Sequence, residues 1–225
     1  MSGTVSGTSP AGPRTRLSRE RVLLGAVAVA DAGGIESLTM RSLALELGVK
    51  PMAVYHYVAN KEEILDGLVD IVFSKIDLPT VGGDWRAELG RRSGSARAVL
   101  RRHPWAIGLL ESRTSPGPAT LRHHDTVLGT LLAAGFSKEL TAHAYALIDS
   151  YVYGFALQEA GLPFDGPETM AEVADSMTEL FASGEYPHLG AMSTDYYLRP
   201  GYDFGNEFDF GLDLILDALA ALRRS

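Results

Sequence analysis

The segment 39–61, TMRSLALELGVKPMAVYHYVANK, reads as two short helices joined by a tight turn. Thr39 is placed to cap the first, its hydroxyl accepting from a free N–H of the first turn. Leu43, Ala44 and Leu47 form an apolar stripe at i, i+1, i+4. Gly48 ends the helix, because the residue beyond a helix usually takes positive φ and glycine does so without steric cost. Pro51 suits the first turn of the second helix, where a missing N–H breaks no bond. Val54 and Val58 face inward, which leaves Met52, Ala53, Tyr55, His56 and Tyr57 partly outward. Such a helix fits a DNA major groove ~12 Å wide, entered N-terminus first. The same hairpin is also an ordinary element of helical bundles, so its neighbours decide.

Charge supports the DNA reading once it is divided. The 225 residues carry a formal charge of −8, which argues against nucleic acid only if spread evenly. Residues 1–61 hold Arg14, Arg16, Arg19, Arg21, Arg41, Lys50 and Lys61 against Glu20, Asp31, Glu36 and Glu46, a local excess of positive charge on an acidic body. Screening confines phosphate attraction to about 8–10 Å, so the local excess is what matters. There are no cysteines, hence no disulfide framework or thiolate metal site, as in a cytoplasmic protein. No apolar run approaches the ~18 residues of a membrane span.

The pattern predicts an all-α chain in three parts. Residues 1–17 lack apolar periodicity and are expected to be disordered. Residues 18–78 hold the hairpin, a preceding helix over 19–32 capped by Ser18, and a following long helix that opens at Asn60 with Glu63 as a variant capping box. Residues 79–225, beyond Pro79 and Gly82-Gly83, read as a larger helical domain. Helices are expected over 85–102, 105–111, 119–134, 138–160, 167–183 and 207–223, with 184–203 irregular. In the last helix Phe208, Leu212, Ile215, Leu219 and Leu222 recur at 4-3 spacing, a seam for another helix.

The string Gly34-Ile-Glu-Ser-Leu-Thr39, Leu43-Ala44, Leu47-Gly48-Val49, Tyr55-His-Tyr57, Asn60-Lys61 and Leu65 resembles the DNA-binding domain of the tetracycline-repressor (TetR) family of bacterial regulators. The run 208–216 resembles that family's C-terminal helix. The resemblance implies a repressor that binds a palindromic operator as a homodimer and is released by a small-molecule effector. It implies DNA contacts from Arg41, Lys50, Pro51, Met52, Ala53, Tyr55, His56 and Lys61. Pro51, Met52 and Ala53 depart from the residues of the tetracycline-responsive members, so a different operator is expected, with Met52 and Ala53 suited to thymine methyls. It further implies a four-helix dimer interface, with Tyr151, Phe155, Phe208, Leu212, Ile215 and Leu219 as its expected residues.

An effector pocket is expected between helices of the larger domain, lined by Phe73, Arg92, Trp105, Leu109, Val127, Tyr145, Asp149 and Tyr153. Arg92 is the sharpest of these, because a guanidinium on an inward face needs an acceptor. Family members that hold a magnesium–drug complex use a histidine after the short helix and a glutamate near the dimer interface. Here no histidine occurs between Trp105 and Leu121, and Gln158 stands at the glutamate's position, so neither metal nor cofactor is expected. His123 and His124 point about 100° apart on a helix and cannot both face one metal. No catalytic motif is present: neither HExxH, nor a phosphate-cradling glycine loop, nor Gly-x-Ser-x-Gly. The chain is read as a regulator rather than an enzyme. The alternatives are a helical small-molecule-binding or catalytic protein, and a regulator that answers to a protein partner.

Overall fold

The computed structural model describes residues 16–110, 112–162, 173, 181, 184–199 and 201–224. The expected disordered tail, Arg14 and the expected helix over 167–183 fall largely outside these residues. Among the described residues all regular structure is helical. In chain order it comprises α1 (Arg19–Gly33), a 3-10 turn (Ile35–Ser37), α2 (Met40–Glu46), α3 (Pro51–Val54) and α4 (Lys61–Ser74). There follow α5 (Trp85–Arg102), a 3-10 turn (Pro104–Ala106), α6 (Pro118–Ala133) and α7 (Lys138–Ala160). Last come α8 (Pro187–Met192), which runs into a π turn (Ser193–Tyr197), and α9 (Asn206–Arg223). The chain forms two compact units that divide between Ile64 and Leu65, within α4, whereas the sequence placed a boundary after residue 78.

In the smaller unit the caps do what their residue types allow. Ser18 accepts from the Arg21 N–H at the start of α1. Thr39 and Ser42 form a reciprocal capping box at α2. Gly48 takes φ +65°, and two bonds close the helix, Val49 N–H to Ala44 C=O at 3.0 Å and Gly48 N–H to Leu45 C=O at 3.1 Å. Beneath the hairpin Val22, Ala26, Leu38, Leu43, Val54 and Val58 are buried.

The larger unit is built on α5 and α7. Asp84 caps α5 through the N–H groups of Arg86 and Ala87, and Ser137 caps α7. Val69, Val72 and Phe73 of α4 join Leu89, Leu100, Ile148 and Val152 in one continuous core. Three local expectations differ from the structure. The expected helix over 105–111 is a 3-10 turn followed by turns. The second hairpin helix is only four residues long, and Tyr55–Tyr57 turn rather than continue it. The stretch 184–203 is not irregular: Pro187 starts α8, and Tyr196, Tyr197 and Tyr202 pack edge-to-face with centroids 5.3–5.6 Å apart.

Candidate functional site

The tip of the smaller unit is shaped by hydrogen bonds that leave its side chains unused. Lys50 is extended and serves as N-cap of α3, with Pro51 in the first turn. Val54 C=O accepts from Tyr57 and Val58 N–H at 2.9 and 3.3 Å, which ends α3 and aims Tyr55 and His56 outward. At α4, Asn60 Oδ1 accepts from Glu63 N–H at 2.9 Å, and Glu63 Oε2 accepts from Ala59 N–H at 2.8 Å. The Ala59 N–H, aided by Arg19 at 3.2 Å, lowers the Glu63 pKa and keeps it a carboxylate. Arg41, Lys50, Pro51, Met52, Tyr55, His56 and Lys61 are exposed, with Ala53 and Tyr57 half-buried. None of Arg41, Lys50, Tyr55, His56 and Lys61 makes a side-chain hydrogen bond or ion pair among the described residues. Met52 is 72% exposed, an apolar tip held in water.

In the larger unit five of the eight expected pocket residues meet, but as a closed cluster. Arg92 finds its acceptor: Nη1 lies 2.6 Å from Asp149 Oδ1, and both residues are buried. Arg92 Nε and Nη2 also face His123 Nε2, at 3.0 and 2.7 Å. Burial works against the Arg92 charge, but Asp149 and the nearby tyrosines more than offset it, and the pKa is raised. Tyr153 donates to Asp149 Oδ2 at 3.5 Å. The Tyr145 hydroxyl bonds His124 Nδ1, and burial together with Asp149 raises its pKa. Phe73 packs on both histidine rings, with centroids 5.0 and 5.2 Å away. Val127 is in the core, and Trp105 and Leu109 pack against it.

An open cavity of about 170 Å³ lies elsewhere on the same unit. Its lining includes Asp66 and Val69 of α4, Leu110 and Arg113 of the segment that leads into α6, and Thr120 and His124 of α6. None of the eight expected residues lines it, because Arg92, Asp149 and the tyrosines occupy one another and the apolar members fill the core. Two ties frame this cavity. Arg113 Nε bonds Asp66 at 2.7 Å, and Asp70 accepts from both the N–H and the hydroxyl of Thr120, at 2.8 and 3.0 Å. On sequence alone, His123 and His124 are weighed only as a metal pair and set aside. The signal was their place at i+3 and i+4 from Thr120, on the face of α6 that also carries buried Val127.

The expected interface residues are also placed differently. Phe155, Phe208, Leu212 and Leu219 are buried in the protomer's own core, and Tyr151 and Ile215 pack against it. From Phe208 to Leu219 the 4-3 seam of α9 is thus contact with its own chain, while Leu222 is exposed. Arg97 explains the burial. It forks onto Glu159 at 2.9 and 2.7 Å, donates to Gly205 C=O at 3.0 Å, and lies over the rings of Phe155 and Phe208. Tyr151 donates to the carbonyls of Glu207 and Phe208, across a glycine, Gly211, where any Cβ would strike its ring. The apolar side chains that α7 and α9 show to solvent are Leu147, Leu157, Phe210, Leu214 and Leu222.

Comparison with known proteins follows this division. A family model described as bacterial regulatory proteins, tetR family, matches residues 22–68. A second, described as tetracyclin repressor-like, C-terminal domain, matches residues 78–223. The HTH-type transcriptional repressor DrrR1 of Streptomyces coeruleorubidus is 37% identical over 222 residues, covering 94% of this chain and 80% of that protein. Tetracycline repressor protein class A from transposon 1721, of Escherichia coli, is 29% identical and covers 93% of each chain. Among solved structures, ActR of Streptomyces coelicolor in complex with actinorhodin is similar at a TM-score of 0.76 and 25% identity, covering 94% of this chain and 100% of that one. With one family model on the capped hairpin and the other over the helices beyond it, the chain belongs to the TetR family of bacterial transcription regulators.

Proposed function

We propose that this protein is a ligand-responsive transcriptional repressor that binds a palindromic operator as a homodimer and is released by a small molecule. The carrying observation is the unengaged set at the hairpin tip, Arg41, Lys50, Tyr55, His56 and Lys61, held by caps that do not involve their side chains. Lysine and tyrosine there meet phosphates, and Met52 with Ala53 meets thymine methyls. Two such tips on a two-fold axis read half-sites ~34–36 Å apart. The partner protomer covers the exposed large apolar side chains of α7 and α9, Leu147, Leu157, Phe210, Leu214 and Leu222. The effector enters the larger unit by the α4–α6 cavity, and coupling to the DNA site is of the usual ~1–3 kcal/mol. No described helix is long and apolar enough to cross a membrane, and a reader of DNA works in the cytoplasm.

Selection of short duplexes from a random pool by the purified protein, with the oligomer mass measured alongside, tests this. A palindrome enriched by a dimer is expected. A monomeric mass with no enriched sequence rules the proposal out.

A further inference from the structure

The cluster around Arg92 leaves one hydrogen-bonding group over. His123 is fully buried on α6, and its Nε2 faces two Arg92 N–H groups at 3.0 and 2.7 Å. A guanidinium only donates, so Nε2 is the unprotonated nitrogen and the neutral ring carries its proton on Nδ1. Burial, the Arg92 charge and His124 lower its pKa to about 3, so the ring is neutral near pH 7. Nδ1 has no hydrogen-bond partner among the described residues. A buried donor left unmet carries a desolvation penalty, and native proteins keep few of them.

The place of this donor gives it a use. Thr120, His123, His124 and Val127 succeed one another at i, i+3, i+4 and i+7 along one face of α6. Thr120 and His124 line the cavity, and His123, between them on that face, is fully buried behind the lining. Both histidine rings stand against Phe73, an apolar aromatic wall.

We propose that His123 Nδ1–H is the recognition donor of the effector site, and that the effector is an apolar-bodied molecule presenting a neutral or anionic oxygen acceptor. This rests on the effector-binding reading above. A ketone, phenol or carboxylate oxygen arriving at Nδ1 completes the hydrogen bonding of the ring. A cation there meets an N–H dipole backed by the Arg92 guanidinium and is repelled. A metal chelate needs a bare nitrogen, and Nδ1 is protonated while Nε2 is taken. Recognition of this kind discriminates strongly, because the ligand lacking the oxygen leaves the donor unpaired.

A matched probe set tests the assignment by equilibrium dialysis on the full-length protein: 2-acetylnaphthalene, 2-naphthoate, naphthalene and 2-naphthylmethylammonium. The two oxygen-bearing probes are expected to bind about tenfold tighter than naphthalene, the worth of one hydrogen bond to a donor otherwise unmet, and the ammonium weaker than naphthalene. His123→Phe should erase the preference and His123→Gln, which keeps an acceptor for Arg92 and an N–H, should restore it. Histidine-labelled NMR of the unmodified protein gives a reading that needs no variant: the His123 Nδ1–H signal shifts on saturation with 2-naphthoate. An unmoved signal, an undiminished preference in a folded His123→Phe, tight binding of the ammonium, or no binding by either oxygen-bearing probe overturns the proposal. All of these readouts are independent of DNA, so a failed operator selection removes the regulator reading without touching them.

Discussion

At the hairpin tip the groups that build the fold and the groups exposed to a partner are different atoms. Thr39, Ser42, Gly48, Asn60 and Glu63 make the local bonds. Met52, Tyr55, His56 and Lys61 project beyond them. Around Arg92 the two sets coincide, since Arg92 bonds Asp149 and His123, and Tyr145 bonds His124, within the unit. The difference bears on how each region changes. The tip can exchange its exposed side chains at little cost to stability. The interior cluster cannot lose a member without a cost to stability, so a change there requires compensating changes.

The largest effect in that comparison is expected from Asp149→Ala. It strands the Arg92 charge in the interior, and removing one partner of a buried pair costs about 3–5 kcal/mol. Urea unfolding measures it, and a loss below about 1 kcal/mol would mean that the cluster carries little of the fold. A smaller effect is tied to pH. His123 titrates near 3 when folded because of burial and the Arg92 charge, against an ordinary value of 6.5. The unfolded chain therefore takes up a proton in this window that the folded chain refuses. Stability from this residue is complete above pH 6.5 and is lost as pH falls towards 3, by up to about 1.4 kcal/mol per unit. Between pH 7 and 5 the wild type should lose about 2 kcal/mol more than His123→Phe, and equal losses would place the ring in water.

Much of the head was legible because its determinants are local. A cap is one residue against a backbone three positions away, and Ser18, Thr39, Gly48, Pro51 and Asn60 each appear in the role their chemistry permits. The long helices were legible from their apolar periodicity and the Gly and Pro breaks between them, and Asp84 and Ser137 cap α5 and α7. The short recognition helix was drawn too long because nothing local to Tyr55 breaks a helix, and its end depends on burying Val54 and Val58. The body's partnerships join residues far apart in sequence. That Arg92 needed an acceptor could be read from its position on α5, and Asp149 was among the candidates. That His123 shared the task could not, because a histidine on α6 is silent until α5 is packed on it. The α9 seam is a related case. Periodicity reports that a face is buried but not against which chain, and Arg97 with Glu159 turns that face inward.

The measurement that bears most directly on the division of labour sets DNA affinity beside stability for Tyr55→Ala and Lys61→Ala. The duplex recovered by selection serves as ligand, and urea unfolding reads the fold. Both side chains are exposed and unengaged, so stability should stay within about 0.5 kcal/mol of wild type. Operator binding should weaken by ~1–3 kcal/mol in each variant, with the salt dependence reduced by about one phosphate for Lys61→Ala. Unchanged affinity in both variants would contradict the account, because the hairpin tip would then not be the DNA-binding face.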